Sequence, residues 1–324
     1  ETMTDNQAEG DADMQNAIFS ISADIDLSNR AEFKHIKKSK HWNSDVVAMD
    51  AALAKEGMSN SIIEVYSPKR VTAMGELMGL IPGMALDLTE NDCDGKPWDF
   101  NIEEKRQRAM DMVRAKKALL LIGSPMCSAF SQLQHINFSK MSADDVNRIK
   151  DYGRKHLEFC MELYKVQHNN GLYFLHEHPF NASSWENEEV KKVLKLPGVN
   201  KVKSHMCAFG MREGDELVKK PTGFMTNAVK VAEALKRDCS GDHRHVVLIG
   251  GGRAKRAEVY PGELCRQIIF GLKDQMLHDG RLGEGMIGAV DRVDDIKINH
   301  KLYEDVEFYD DISGKHLHKD ETIK

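Results

Sequence analysis

Short apolar runs of strand length alternate with amphipathic stretches of helical period from about residue 46 to residue 278. This alternation is typical of a parallel sheet that is covered by helices on both faces. The predicted strands are Ser61–Tyr66, Met84–Leu88, Ala118–Ile122, Leu172–His176, Val202–Met206 and Val246–Ile249. The predicted helices are Val46–Glu56, Lys69–Met78, Ile102–Lys116, Asp144–Gln167, Glu186–Leu194, Ala228–Arg237 and Gly262–His278. We therefore predict an α/β fold with a Rossmann-like, doubly wound and mostly parallel sheet.

The two ends of the chain lack this alternation. Residues 1–45 are acidic and polar, with few large apolar side chains, so they bury too little surface to offset the entropy of ordering. From residue 279 the sequence is charged and irregular. We predict a disordered N-terminal segment (1–45), one folded domain (46–278) and a charged C-terminal tail or linker (279–324).

Composition adds limits on where the protein acts and on what it binds. Of the 324 residues, 41% are hydrophobic and 30% are charged, as in soluble globular proteins, and no apolar run approaches the roughly 18–20 residues that cross a bilayer. The net charge of −6 gives no general attraction for nucleic acid, so DNA binding would need a local basic patch. Six scattered cysteines indicate reduced thiols in an intracellular protein.

A cysteine follows directly on one of the predicted buried strands. The segment Leu119–Ser131 runs from the strand through Gly-Ser-Pro-Met to Cys127 and then to Ser-Ala-Phe-Ser. Ligands of open α/β sheets bind at the carboxyl ends of the strands. A thiolate held there can attack an electrophilic carbon, whereas the alternative is an inert buried cysteine.

The next predicted strand also ends in polar residues, His-Glu-His-Pro, which places Glu177 between His176 and His178. A carboxyl group at this position can protonate or hold a heterocyclic ring if burial raises its pKa. The alternative is a solvated glutamate at a strand end. The two histidines are either supporting partners or simple loop residues.

The pattern Gly-Ser-Pro-x-Cys-x-x-Phe-Ser resembles the catalytic loop of cytosine-5 DNA methyltransferases, and the resemblance extends over about residues 61–278. Pro125 and Cys127 keep the spacing of the family's Pro-Pro-Cys, with Met126 replacing the second proline. The resemblance implies a class I methyltransferase fold in which a Cys127 thiolate adds to carbon 6 of a flipped cytosine. It implies that Glu177 contacts the cytosine ring, and that Ser128 and Ser131 shape the loop against the nucleic acid.

The same resemblance implies S-adenosylmethionine as the cofactor. In the family, the first strand ends in an acid, an aromatic residue and a glycine-rich turn, but Pro68 stands here where a glycine is expected. Acids that follow the second strand and precede the next helix contact the ribose and the adenine. The implied cofactor residues are Glu64, Tyr66, Ser67, Asp87 and Asp99.

Contacts with DNA are harder to assign, because the family's Gln-x-Arg-x-Arg strand is missing. A basic loop and helix entry are predicted over residues 219–227. Arg212, Lys219 and Lys220 are candidates for phosphate contacts, and a solvated basic loop is the alternative.

No metal site is predicted. Cys239, His243 and His245 lie close together in sequence, but zinc would need a fourth ligand or a water, and no Cys-x-x-Cys pair is near. Nor does the run of glycines at 250–252 form a phosphate-binding motif.

The C-terminal segment Phe308–Leu317 is similar to the linker before reverse transcriptase in copia-type retrotransposon polyproteins, which often reads Asp-Asp-x-Ser/Thr-Gly-x-x-Leu. The resemblance implies neighbouring polyprotein domains as partners. The leading hypothesis is S-adenosylmethionine-dependent methylation of cytosine in DNA. The alternatives are a non-catalytic nucleic-acid-binding or scaffolding module of a retroelement polyprotein, and a cysteine hydrolase that pairs Cys127 with a histidine.

Overall fold

The computed structural model of the protein describes residues 40–115, 118–131, 137–248, 252–282, 308–310 and 315–317. The described residues belong to two units, residues 40–282 with their gaps and residues 308–310 with 315–317. The helices of the larger unit are α1 (Lys40–Lys55), α2 (Val71–Leu77), α3 (Glu103–Arg114), α4 (Ala143–Asn169), α5 (Glu188–Leu194), α6 (Val229–Leu235), α7 (Arg253–Arg256) and α8 (Gly262–His278). Its strands are β1 (Asn60–Val65), β2 (Met84–Leu86), β3 (Ala118–Gly123), β4 (Tyr173–Pro179), β5 (Asn200–His205), β6 (Arg212–Glu213), β7 (Glu216–Val218), β8 (Pro221–Thr226) and β9 (His245–Val246).

Six strands form the central sheet, in the order β2-β1-β3-β4-β8-β5. The first four strands run parallel to one another, whereas β8 is antiparallel to both of its neighbours. A second sheet of three short strands has the order β6-β7-β9. The predicted mixed α/β fold with a mostly parallel sheet is confirmed.

Helices cover both faces of the central sheet. Successive residues of a strand point to opposite sides, so each strand contributes to the hydrophobic packing on both faces. In β1, Ile62 packs into a hydrophobic cluster with residues of α1, α2, α6 and α8. The adjacent Ile63 packs into another cluster, with residues of α3, α4 and α5. Strands that are apolar on both faces are therefore buried on both faces, as the sequence predicted.

Helix α4 begins where its sequence predicts. The Oγ atom of Ser142 accepts a hydrogen bond from the backbone N–H of Asp145, and Asp144 and Asp145 lie in the first turn. This arrangement satisfies one of the free N–H groups at the helix start and places negative charge at the positive end of the helix dipole.

Three predictions differ clearly from the structure. Helix α1 begins at Lys40, inside the segment that was predicted to be disordered, and residues 1–39 lie outside the described part. The predicted strand Val246–Ile249 is the short β9 of the smaller sheet, and Ile249 is not described. Strand β8 occupies the stretch that was predicted to be a basic loop and helix entry.

The smaller unit is described only as an antiparallel hairpin of β10 (Phe308–Asp310) and β11 (Lys315–Leu317). Phe308 lies opposite Leu317, and Asp310 lies opposite Lys315. The hairpin coincides with the segment that resembles the retrotransposon linker, inside the predicted tail. Across the described residues of the chain, no helix is long and apolar enough to cross a membrane.

Gly123, the last residue of β3, leaves space for the hydroxyl group of Tyr164 on α4. A Cβ atom at position 123 would lie 1.9 Å from the Tyr164 oxygen. Tyr164 is fully buried, and its hydroxyl lies 3.1 Å from Nδ1 of His176. We therefore expect Gly123→Ala to lower the free energy of unfolding, measured by urea denaturation, by about 1–3 kcal/mol or more.

Gly75→Ala is the matched control, because its Cβ atom would meet nothing closer than 3.5 Å in the middle of helix α2. This change should be neutral or slightly stabilising. Tyr164→Phe removes the clashing oxygen, so it should recover part of the cost of Gly123→Ala in the double variant. Equal stabilities of the Gly123 and Gly75 variants would contradict this account.

Candidate active site

The candidate site lies at the carboxyl ends of β3 and β4, which are neighbours in the parallel part of the sheet. Gly123 pairs with His176, so the loop that carries Cys127 leaves the sheet beside Glu177. Cys127 is half-buried and directly precedes a short 3-10 turn at Ser128–Phe130. The structure therefore brings together the two residues that were predicted to carry the chemistry.

His178, a residue of β4, forms a hydrogen bond with the loop that carries Cys127. Its Nε2 atom lies 3.0 Å from the carbonyl oxygen of Pro125, and its Nδ1 atom lies 2.6 Å from Oγ of Ser184. Because a carbonyl oxygen only accepts, Nε2 carries the proton, and Nδ1 accepts from the Ser184 hydroxyl. Burial lowers the pKa of His178 to about 4, so the ring is neutral at physiological pH. His178 thus acts as a fixed support for the loop.

His176 is fully buried among the rings of Tyr164, His178 and Trp185. It stacks on His178 with ring centres 5.1 Å apart, and its Nδ1 atom lies 3.1 Å from the Tyr164 hydroxyl. Burial, with the nearby His178 and Lys201, holds the pKa of His176 well below its usual value. The histidine is therefore neutral.

Glu177 and Lys220 form an ion pair beside the cysteine loop. The Lys220 Nζ atom lies 3.6 Å from Oε1 of Glu177 and donates a hydrogen bond to the carbonyl oxygen of Ala257 at 3.2 Å. The side chains of Lys220 and Glu177 are 17% and 10% exposed. Oε1 of Glu177 is buried and makes no hydrogen bond among the described residues, because its ion-pair partner Lys220 lies slightly too far away at 3.6 Å. The site thus contains a carboxylate oxygen that is paired with a cation and can still accept a hydrogen bond.

Burial raises the pKa of the Cys127 thiol to about 11; Lys220 opposes this rise, and Glu177 adds to it. Burial alone would lower the pKa of Lys220, but Glu177, Cys127 and Glu258 together raise it above its ordinary value. Lys220 is therefore charged at neutral pH, and its charge favours the thiolate of Cys127.

Glu258 and Tyr260 complete the site and were not predicted from sequence. They lie just before helix α8, and Glu258 is exposed to solvent. The hydroxyl of Tyr260 lies 2.6 Å from Oγ of Ser124, at the end of β3. The sequence contains a signal for this segment, because Val-Tyr-Pro-Gly at residues 259–262 leads directly into helix α8.

Glu64 binds the loop that follows β1. Its Oε1 atom accepts hydrogen bonds from the backbone N–H groups of Arg70 and Thr72, both at 2.9 Å, and from the Thr72 hydroxyl at 2.7 Å. Its Oε2 atom accepts from Oγ of Ser67 at 3.2 Å. Because Glu64 is fully buried, its carboxylate positions the predicted cofactor loop from beneath.

Tyr66 leads from β1 into this loop with a positive φ of 59°, a left-handed conformation that non-glycine residues rarely adopt. Its hydroxyl lies 2.8 Å from Nδ1 of His156, and its ring packs on Phe100 with centres 4.7 Å apart. Its backbone N–H donates to Leu86 at the end of β2. Tyr66 therefore lies between the chain segments that carry Asp87 and Asp99.

Asp87 and Asp99 are half-buried beside those segments. Oδ1 of Asp87 accepts hydrogen bonds from the N–H and hydroxyl groups of Thr89, at 3.0 and 2.9 Å. Oδ1 of Asp99 accepts from the N–H of Asn101 at 2.9 Å. Each acid thus orders its own turn, and its part in cofactor binding stays a prediction.

The residues predicted to contact nucleic acid lie in different surroundings. Ser128 and Lys219 are exposed, and the Ser131 hydroxyl donates to the carbonyl oxygen of Ser128 at 3.3 Å. Arg212 is exposed and donates to the carbonyl oxygen of Asp215 at 3.0 Å. Lys220 instead points into the site beside Glu177. Their contacts with DNA stay predictions.

Neither a protein-family model nor a curated protein matches this chain. The resemblance to cytosine-5 DNA methyltransferases therefore depends on the cysteine loop and on the acid of the neighbouring strand.

Proposed function

We propose that the protein transfers a methyl group from S-adenosylmethionine to carbon 5 of cytosine in DNA, on a class I methyltransferase fold, through a covalent adduct with Cys127. One observation carries the proposal. The Cys127 thiol, the Lys220 ammonium and an acceptor of Glu177 without a hydrogen bond converge at the carboxyl ends of two adjacent parallel strands. A flipped cytosine would supply both an electrophilic carbon for the thiol and an amino group for the acceptor.

The chain's own residues account for the covalent step. The Cys127 thiol gives its proton to solvent, and its sulfur then forms a bond to carbon 6 of cytosine. The ring electrons shift towards carbon 5, which becomes the nucleophile. Glu177 holds the amino edge of the ring, and Lys220 stabilises the thiolate before attack. After methyl transfer, carbon 5 loses its proton to solvent, the carbon–sulfur bond breaks, and the thiolate is restored.

The residues near β1 and β2 fit a nucleoside-containing cofactor by the chemistry of their donor and acceptor groups. Asp87 and Asp99 offer half-exposed carboxylates, which suit ribose hydroxyls and an adenine amino group. The buried Glu64 fixes the loop between them. S-adenosylmethionine, when bound, supplies the electrophilic methyl group. Pro68 removes one N–H from the loop that would face the cofactor.

The competing cysteine-hydrolase hypothesis needs a histidine base beside Cys127. His178 uses both ring nitrogens, on Pro125 and Ser184, and its pKa of about 4 reflects burial. Nδ1 of His176 faces Tyr164 instead. Nε2 of His176 has no hydrogen-bond partner among the described residues, and neither histidine is hydrogen-bonded to Cys127 there, which favours methyl transfer over hydrolysis.

A mechanism-based trap tests the proposal. With S-adenosylmethionine and DNA that contains 5-fluorocytosine, the protein should form a covalent complex, because fluorine at carbon 5 blocks the final elimination. Cys127→Ala should abolish the complex, which is detected as a shifted band on a denaturing gel. Cys93→Ala is the matched control, since Cys93 is an exposed free thiol and should not affect trapping.

Each outcome separates the hypotheses. Trapping that persists in Cys127→Ala would exclude this cysteine as the nucleophile. DNA binding without an adduct, in a wild-type protein that binds S-adenosylmethionine, would favour the non-catalytic binding module. Binding of neither ligand would contradict the proposed function.

A further inference from the structure

Four potential metal ligands converge at a place that is separate from the Cys127 site. Cys207 is buried in a 3-10 turn at Met206–Phe209, directly after β5. Cys239 and His243 lie between α6 and β9, and His245 is the first residue of β9. The ligand atoms of these four residues all lie within 4.8 Å of one another.

The two separations from Cys239 match the edges of a zinc tetrahedron. Cys239 Sγ lies 3.5 Å from Nε2 of His243 and 3.4 Å from Nε2 of His245. Zinc–sulfur and zinc–nitrogen bonds of about 2.3 and 2.0–2.1 Å give tetrahedral edges of about 3.3–3.8 Å. Because every pair of ligand atoms lies within 4.8 Å, an ion placed among the four would bring any wider pair closer by at most about 1.5 Å.

The environment orients one of the imidazoles as metal-bound histidines are usually oriented. Oδ1 of Asp242 lies 2.8 Å from Nδ1 of His243, which leaves Nε2 directed at Cys239. A carboxylate on the far nitrogen fixes the tautomer and raises the basicity of the ligating nitrogen.

We propose that this chain binds one structural zinc ion through Cys207, Cys239, His243 and His245. Two thiolates and two imidazoles form a ligand set that zinc prefers, and four protein ligands leave no open position for catalysis. No metal site was predicted from the sequence, because only three ligands lie close together there. Cys207 is far from them in sequence, and only the fold brings it near.

The proposed site would join two segments that lead to the Cys127 site. Cys207 precedes the β6–β7 hairpin, which is followed by Lys220. His245 lies on β9, which pairs with β7 through Leu217. A zinc ion would therefore stabilise the three-stranded sheet from which Lys220 enters the site.

Metal analysis of the purified full chain tests this proposal. After refolding with zinc and extensive dialysis, the wild-type protein should retain about one zinc per chain, and Cys239→Ser and His245→Gln should each retain below about 0.1. Cys93→Ser and His278→Gln are matched controls, because both residues are exposed and should leave the zinc content unchanged. Cobalt(II) should give the visible absorption of a tetrahedral thiolate site in the wild type and in the controls.

A second measurement applies if a ligand variant fails to fold. Removing zinc from the wild-type protein with a chelator should lower its melting temperature, and adding zinc back should restore it. A folded wild-type chain that holds no stoichiometric zinc would overturn the proposal. So would zinc that stays bound in a folded Cys239→Ser variant, or a melting temperature that does not respond to the chelator.

Discussion

Lys220→Met should slow the alkylation of Cys127 by iodoacetamide at pH 8 by about 10- to 1,000-fold, because a nearby opposite charge shifts a pKa by about 1–3 units. Lys220 is the cation that opposes the effects of burial and of Glu177 on Cys127. Without it, the thiolate would form next to acidic groups alone. Peptide-level mass spectrometry measures the reaction at Cys127, with the exposed Cys93 as an internal reference.

The pH dependence of Cys127 alkylation shows whether Lys220 lowers the pKa of the thiol. Alkylation of the wild-type Cys127 should rise with pH towards its pKa of about 11, which burial sets. In Lys220→Met the rise should occur at higher pH, because removing an ammonium ion disfavours the thiolate. The trapping of 5-fluorocytosine DNA should slow in parallel.

Lys219→Met is the matched control, because the neighbouring lysine is exposed and carries the same charge. If both lysines contact DNA phosphates, both variants should weaken DNA binding and reduce its salt dependence equally. If Lys220 serves the cysteine, only its variant should change the alkylation profile. Equal alkylation rates in the two variants would show that Lys220 has no effect on the thiol.

The sheet was predictable because its strands are apolar on both faces and short, and they alternate with helices. Strand β8 was missed because its sequence has conflicting signals. It begins with Pro221 and contains Gly223, both of which are unusual inside a strand. The structure explains the glycine, since a Cβ atom there would lie 2.7 Å from the Trp185 ring. Glycine is therefore required at position 223 by Trp185, a residue that is distant in sequence.

The candidate site was predictable where it depends on neighbouring parallel strands. Cys127 and Glu177 each follow a buried strand, and adjacent strands place such residues at one edge. Lys220 and Glu258 come from segments outside the β3–β4 pair, so only the folded chain shows that their charges act on the cysteine. The fourth ligand of the proposed zinc site was hidden for the same reason.

The structure gives Glu64 hydrogen bonds that the resemblance did not imply. The resemblance assigned Glu64 to the cofactor, but its carboxylate accepts four hydrogen bonds from Ser67, Arg70 and Thr72. Both oxygens therefore have protein partners. The geometry supports a positioning role, in which Glu64 holds the loop whose outer side would contact S-adenosylmethionine.

Glu64→Ala should lower the free energy of unfolding by about 3–5 kcal/mol, because buried donors on Arg70 and Thr72 would each lose their acceptor. Glu64→Gln keeps one acceptor oxygen and should cost only about 1–2 kcal/mol. Glu76→Ala, at an exposed position on the adjoining helix α2, should stay within about 0.5 kcal/mol of the wild type. Urea denaturation measures all three changes, and an Ala variant as stable as the Glu76 control would contradict the positioning role.

The pH dependence of the same variants provides an independent check. Burial raises the pKa of Glu64 above its ordinary value of 4.5, although hydrogen bonds from Thr72 and Arg70 oppose the rise. A raised pKa means that the folded state favours the protonated carboxyl group, so this contribution to stability is complete below pH 4.5 and is lost as pH rises through the folded pKa. The glutamine variant does not titrate there. The stability difference between the wild type and Glu64→Gln should therefore narrow as pH rises from 4.5.

Titration with S-adenosylmethionine then distinguishes the two roles of Glu64. If the carboxylate only holds the loop, the cofactor affinity of Glu64→Gln should stay close to that of the wild type, because one oxygen still accepts from the loop. Glu64→Ala should lose most of its affinity together with its stability, since the loop would no longer be fixed. If the carboxylate binds the cofactor directly, the glutamine variant should instead lose affinity out of proportion to its small loss of stability.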